Sequence, residues 1–148
     1  MEHVPQLIRY IPLTLPDEPL DGDRVAGWYL RVRRTRPGPG VAVCTVTGEV
    51  DRGNAALLEG AVRNAGRGAV AALVVDLSQV RFLGVAGVRV LHAAAARAAA
   101  RGQWFAVVAN TYSVRRVLDL GDVQQRITRY PRLSDALVAA RRSSGASG

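Results

Sequence analysis

Short apolar runs of strand length alternate along this chain with longer segments of helical periodicity. Three runs, 41–47 (VAVCTVT), 71–76 (AALVVD) and 103–108 (QWFAVV), are nearly continuous in apolar or β-branched residues. Such runs are typical of strands that are buried on both faces. Segments 54–64 and 84–101 instead repeat apolar residues at helical spacing, and glycines follow both. The pattern therefore predicts strands that alternate with helices.

The remaining segments complete this alternation. Residues 25–36 favour a first strand, which the turn sequence Pro-Gly-Pro-Gly at 37–40 joins to the second strand as a hairpin. A short helix is predicted from Ser113, as its N-cap, to Leu120, then a strand at 127–130 and a final helix at 133–142. The predicted order is ββαβαβαβα. Alternation of this kind predicts an α/β fold with a largely parallel sheet and helices packed on it.

The length of 148 residues fits one domain, and the ends of the chain differ in composition from its middle. Residues 1–24 contain four prolines and no sustained periodicity, so they are predicted to form an extended N-terminal arm. Residues 25–142 form the predicted domain, and 143–148 a flexible polar tail. No apolar stretch of about 18 residues is present, so no membrane insertion is expected. The start of the chain lacks a secretion signal and Cys44 is the only cysteine, which together favour the cytoplasm.

The net charge of +8 is unevenly distributed. All 20 basic residues are arginines, and residues 1–23 hold five carboxylates against one arginine, so residues 24–148 carry +12. Such a balance favours non-specific binding of anions. The aromatic residues are few and are not interleaved with arginine, which weakens the case for base stacking. Nucleic-acid binding therefore ranks below protein binding.

A search for catalytic chemistry finds no constellation. His3 and His92 have no Cys, Asp or Glu at metal-ligand spacing, and Cys44 lies among apolar strand residues as a buried structural thiol would. Without lysine, the phosphate clamp of a P-loop is impossible. Glu49 and Asp51 are a candidate carboxylate pair, but they fall at a strand end, where carboxylates are usually solvated. The chain is predicted to be no enzyme and to hold no cofactor or metal.

Two segments taken together are more specific. The first is TGEVD at 47–51, and the second is LVVDLSQVRFL at 73–83, followed by GVAGV at 84–88 and a helix. In this order they resemble the STAS domain of anti-anti-sigma factors, the antagonists of bacterial anti-sigma kinases. The segments 104–110 (WFAVVAN) and 114–118 (VRRVL) extend the resemblance, which covers roughly residues 30–140.

The resemblance implies a STAS-like mixed, mostly parallel β-sheet with helices mainly on one face. It also implies that the chain regulates transcription by binding: the unphosphorylated antagonist captures an anti-sigma factor and so releases the sigma factor. In that family the partner's kinase activity reverses binding by phosphorylating a serine at the start of the second helix.

The loop that would carry this switch departs from the family pattern. The family typically has Asp-Ser-[Ser/Thr]-Gly, whereas this chain has Gly84-Val85-Ala86-Gly87. Val85 stands at the acceptor position and has no hydroxyl, so the serine switch is expected to be absent. Two interpretations stay open: a loop that merely packs, and an apolar surface that binds a partner constitutively.

Partner binding is predicted where three loops follow strand ends, because the side chains of such loops are not needed to pack the core. The predicted partner-binding residues are Asp51, Arg52, Asn54, Leu83, Gly84, Val85, Ala86, Gly87, Val88, Asn110 and Ser113. The predicted partner is an anti-sigma factor or a related regulatory protein, and a homodimer remains open. The alternatives are a small-molecule or nucleotide-sensing STAS module and an accessory subunit of another complex.

Overall fold

A computed structural model describes residues 29–147, with side chains described to Ser143. The predicted arm at 1–24 and the start of the predicted first strand lie outside these residues. The elements are β1 (Leu30–Gly38), β2 (Val41–Val50), α1 (Ala55–Ala65), β3 (Ala72–Leu83), α2 (Val85–Ala100), β4 (Trp104–Val108), α3 (Tyr112–Gly121), β5 (Arg129–Tyr130) and α4 (Leu133–Ser147). The predicted order ββαβαβαβα is confirmed.

The five strands form one sheet in the order β1-β2-β3-β4-β5. β1 and β2 are the predicted antiparallel hairpin, and every later neighbour pairs in parallel. The hairpin turn depends on Gly40, whose φ of +70° lies in the left-handed region that glycine adopts without strain. The mixed, mostly parallel sheet is thus confirmed.

Helices cover both faces of the sheet, which explains the nearly continuous apolar runs. Along β2, Ala42, Cys44 and Val46 belong to the main core, to which α1, α2 and α3 contribute Leu58, Leu91 and Leu118 among others. The alternate residues Val41 and Val43 face the other way and pack near α4. Because a strand with two covered faces needs apolar residues at every position, β2 shows no polar alternation over this stretch. Three helices on one face and one on the other agree with the predicted arrangement. None of the described helices has both the length and the apolarity needed to cross a bilayer.

Strand β3 extends seven residues beyond its predicted end at Asp76 and carries two irregularities of register against β2. Its first half pairs with both neighbours, but pairing with β4 ends at Asp76. Beyond that point only Leu77, Val80 and Leu83 are buried, so no continuous apolar run marks the second half. The carboxylate of Asp76 accepts a hydrogen bond of 2.9 Å from the amide of Ser78, which stabilises the backbone at the first irregularity.

Two predicted helix ends are wrong. Thr111, not Ser113, precedes α3 as its N-cap residue, and it makes no side-chain capping hydrogen bond. The final helix does not stop at Arg142 but continues to Ser147, so segment 143–147, predicted as tail, is helical. Serine and alanine in that segment tolerate a helix, and no proline or early glycine stops it.

Candidate functional site

The loops after β2 and β3 are joined into one surface at the carboxyl ends of these strands. The amide of Gly84 donates a hydrogen bond of 2.8 Å to the carbonyl of Val50. A Cβ atom built on Gly87 would lie 2.5 Å from Cδ1 of Leu83 and 2.9 Å from Cγ1 of Val50. Only glycine therefore allows the first turn of α2 to approach both strand ends this closely. We call residues 51–54 and 82–88 together the strand-end surface.

The first of these loops is held by its own polar side chains. Oδ1 of Asp51 accepts hydrogen bonds from the amides of Gly53 (2.9 Å) and Asn54 (3.3 Å). Asn54 in turn accepts from the amide of Asp51 at 3.0 Å and donates to the carbonyl of Glu49 at 2.9 Å. Asp51 and Asn54 thus fix the loop, while Arg52 between them is exposed.

The second loop presents apolar side chains to solvent. Val85, the first residue of α2, is 67% exposed, whereas Leu83, Gly87 and Val88 are buried and Ala86 is half-buried. Phe82 is 48% exposed, and its ring lies 3.4 Å from where a Cβ on Gly84 would stand. The result is a small apolar patch of Phe82 and Val85 at the start of a helix.

Sequence reasoning missed Phe82 as a site residue. The signal was available, because Phe82 directly precedes the buried Leu83 and so occupies an outward position in a strand. The outward position of Phe82 could be assigned only once β3 was known to extend to Leu83.

The third predicted loop follows β4, which is shorter than β3. β4 ends at Val108, which pairs with Asp76, while β3 continues for seven more residues. Asn110 and Ser113 are both exposed, but they follow a strand that ends beside the middle of β3. The hydrogen bond from Gly84 to Val50 joins the first two loops, and the membership of Asn110 and Ser113 in the same binding surface stays a prediction.

The candidate carboxylate pair does not act as a unit. Glu49 forms an ion pair of 3.3 Å with Arg81, whose guanidinium carbon lies 5.6 Å from the ring centre of Tyr29. Asp51 instead holds its loop, as described above. The two carboxylates of this candidate pair therefore have separate partners.

Cys44 is confirmed as a buried thiol. It is fully buried in the main core, and burial raises its pKa to about 12, against a smaller lowering by Arg34. Because the thiolate is the reactive form, this cysteine is inert at neutral pH. Among residues 29–147, no group of three His, Cys, Asp or Glu side chains could hold a metal ion.

A polar cluster that the sequence did not reveal joins α2 to the segment after α3. Asp122 is 7% exposed, and its carboxylate lies 2.9 Å from Nε2 of His92. The same carboxylate accepts hydrogen bonds of 2.9 Å from the amides of Arg126 and Ile127. Desolvation opposes ionisation, but these hydrogen bonds prevail and lower the pKa of Asp122.

The Asp122→Asn variant should lose about 1–3 kcal/mol of unfolding free energy at neutral pH, because an amide group cannot accept from both backbone amides. A carboxylate with a lowered pKa contributes stability above its unfolded pKa of about 3.9, and this contribution is lost as the pH falls through the folded value. Urea unfolding at pH 7 and at pH 3 should therefore show a smaller difference between wild type and variant at pH 3. An equal difference at both values would contradict the assignment.

Comparison with known proteins places this architecture among a defined group. Residues 34–139 match the family model described as "Mlab, STAS domain". The chain is 37% identical over 102 residues to the anti-sigma-F factor antagonist RsfB of Mycobacterium tuberculosis, covering 69% of this chain and 83% of that protein.

The chain is also similar to solved structures. An anti-sigma factor antagonist from Mycobacterium paratuberculosis superposes with a TM-score of 0.69 at 35% identity, covering 76% of this chain and 94% of the other. The anti-sigma factor antagonist SpoIIAA in its unphosphorylated form superposes with a TM-score of 0.63 over 74% of this chain and 96% of that one. At 15% identity, the second match concerns the fold alone.

Proposed function

Because the chain belongs to the STAS domain family, we propose that it acts as an anti-sigma factor antagonist that binds its anti-sigma factor through the strand-end surface. The observation that carries this proposal is the exposure of Val85, 67%, at the first position of α2, beside a half-exposed Phe82. Exposed apolar side chains on a rigid support are typical of binding surfaces. The hydrogen bond from Gly84 to Val50 and the close packing at Gly87 provide that support.

We further propose that this binding is constitutive. Val85 stands where the resemblance places the phosphorylated serine, and Val85 and Ala86 have no hydroxyl. A phosphoserine would add about −1.5 to −2 charges at the start of a helix. Since no such charge can be added here, a kinase cannot disrupt the apolar patch by this route.

Mass spectrometry tests the loss of the switch. Trypsin cleaves after Arg81 and Arg89, so it releases residues 82–89 (FLGVAGVR) as one peptide. After incubation with the cognate anti-sigma kinase and ATP, we expect this peptide to be unmodified. The Val85→Ser variant, which restores a hydroxyl at the helix start, is the matched control and should gain phosphate at position 85. Phosphate on Ser78 or Ser113 of the wild type would show a relocated switch and contradict constitutive binding.

Direct binding tests the proposal as a whole. Purified cognate anti-sigma factor, titrated into this protein in a calorimeter, should bind with a negative heat-capacity change, because an apolar patch is removed from water. Absence of binding to every anti-sigma factor of the host would refute the proposed function.

A further inference from the structure

A cavity that the proposed function does not use lies between α2 and the segment that follows α3. Its volume is about 700 Å³, which falls in the range of about 300–1,000 Å³ that is usual for small-molecule sites. On the α2 side the cavity is lined by His92, Ala95, Ala96 and Ala99, and residues 121–124 and 126 line it on the other side. None of these residues belongs to the strand-end surface.

The α2 side of the cavity is one face of the helix, because residues 95, 96 and 99 follow His92 by three, four and seven positions. Ala95 is half-buried, and Ala96 and Ala99 are exposed. Alanine side chains end at Cβ, so they line the space with methyl groups and do not fill it. This face of α2 therefore provides an apolar floor with room above it.

The other side of the cavity is held in one conformation by backbone hydrogen bonds. The carboxylate of Asp122 accepts from two backbone amides, as described above, and its carbonyl accepts a bond of 2.9 Å from the amide of Gln125. Gln125 has a φ of +52°, in the left-handed region that residues other than glycine seldom adopt. A Cβ atom built on Gly121 would lie 3.0 Å from Cγ1 of Val88, so this segment also packs directly against α2. The cavity is therefore preformed by the fold.

The exposed charge at the cavity is positive. Arg126 is exposed and has no carboxylate partner among residues 29–147. Asp122 is only 7% exposed, and its oxygens already accept hydrogen bonds from His92 and from backbone amides. The described part of the chain holds 18 arginines against seven carboxylates, so the surrounding field also attracts anions. An unpaired guanidinium is well suited to a carboxylate, to which it can donate two parallel hydrogen bonds.

His92 adds a second polar atom to the cavity. The lowered pKa of Asp122 keeps its carboxylate ionised at neutral pH, so Nε2 of His92 must be the donor in the contact of 2.9 Å between them. The other ring nitrogen, Nδ1, has no hydrogen-bond partner within the described residues. The contact with Asp122 thus fixes the imidazole ring at the cavity and leaves Nδ1 available to a ligand.

The remaining lining is apolar. Val123 is 78% exposed and lines the cavity together with the alanines of α2. A hydrocarbon group placed between them would remove apolar surface from water on both sides of the cavity, which is favourable.

We propose that this cavity binds a small organic anion with an apolar body, whose carboxylate pairs with Arg126 and whose hydrocarbon part lies between Val123 and the alanine face of α2. The site goes beyond the proposed function, because a protein on the strand-end surface and a small molecule in the cavity contact different residues. The domain then carries two separate binding sites.

Sodium octanoate tests the site in the full-length protein, because it joins a carboxylate to a short hydrocarbon chain. Titration followed in the amide NMR spectrum should give saturable shifts at Ala95, Ala99 and Val123. The amide of Val138, on α4 at the other face of the sheet, is the internal control and should not shift. Octanamide has the same hydrocarbon chain without the charge, and it should bind about 3- to 10-fold more weakly.

Two variants locate the ligand. Arg126→Gln should weaken octanoate binding by about 3- to 10-fold and remove the preference for octanoate over octanamide. Arg141→Gln changes an exposed arginine of α4 and is the matched control, with unchanged affinity. Ala96→Trp places a large side chain in the cavity and should abolish the shifts that octanoate causes at Ala99 and Val123. Ala96 and Arg126 are exposed, so both variants should keep the melting temperature of the wild type.

Three outcomes would overturn the proposal. The first is the absence of saturable shifts at the cavity, or shifts of equal size at Val138. The second is equal affinity of the wild type for octanoate and octanamide, which would show that charge plays no part. The third is wild-type affinity in the Ala96→Trp variant, which would place octanoate elsewhere. No partner protein is needed for these measurements, so the docking proposal is judged by its own binding test.

Discussion

Replacing Val85 with glutamate should weaken binding of the anti-sigma factor by about 10- to 100-fold, the effect of losing about 1.4–2.7 kcal/mol at the centre of an interface. Val85 is 67% exposed, so the larger side chain meets no core residue. The first turn of α2 has no acidic residue, and a carboxylate at a helix N-terminus is electrostatically favourable. The melting temperature should therefore stay unchanged while docking is lost.

Val138→Glu is the matched control. Val138 is also an exposed helical valine, 47% exposed, but it lies on α4 at the opposite face of the sheet. The Val138→Glu variant should bind the partner with the affinity of the wild type. Ala86→Glu is a less specific probe, because Ala86 is half-buried and the change would combine a packing effect with the surface effect. Undiminished affinity of the Val85→Glu variant would show that the strand-end surface is not the interface.

The largest effect on stability is expected at Gly48. Its φ of +111° is a conformation that side chains rarely adopt, and a Cβ atom there would lie 2.4 Å from the carbonyl oxygen of Tyr29 and 2.6 Å from its ring. Gly48→Ala therefore combines backbone strain of about 1–3 kcal/mol with a packing clash of similar size. We expect a loss of about 2–6 kcal/mol in unfolding free energy by denaturant titration.

Gly102→Ala separates the two contributions. Gly102 also has a positive φ, +68°, but a Cβ atom there would meet nothing within 4 Å. Its substitution should cost only the conformational part, about 1–2 kcal/mol. Equal losses at both positions would mean that a Cβ atom on Gly48 causes no costly clash with Tyr29.

Local sequence patterns predicted the fold well in segments where a single factor sets the residue types, such as burial of both faces of a strand or the end of a helix. The run VAVCTVT of β2 was identifiable because both faces of the strand are covered, and glycines after the helices marked their ends. The second half of β3 was missed because α4 does not cover it, so only every third residue there, Leu77, Val80 and Leu83, is buried. The relative lengths of β3 and β4 were likewise not predictable, because tertiary packing sets how far neighbouring strands extend.

The candidate site was predicted through resemblance more than through chemistry. Val85 and its neighbours were identified by their place in a family pattern, and the structure adds which of them are exposed. The roles of Asp51 and Asn54 in holding their loop depend on backbone geometry that a sequence does not display. The contact between His92 and Asp122 joins residues 30 positions apart, so no local sequence pattern could predict it.

The unequal lengths of β3 and β4 divide the sheet into two parts that differ in the free energy of local opening. Before Asp76, β3 has a strand on each side and helices on both faces, whereas beyond it β2 is its one strand neighbour among residues 29–147. Fewer ladder hydrogen bonds hold this outer part, so it can open at a lower free energy than the whole domain. The partner proposed to bind there would cover the weaker part and raise its protection from solvent. The proposed binding surface thus lies in the part of the sheet that rearranges at the lowest free energy, while the inner part keeps the fold intact.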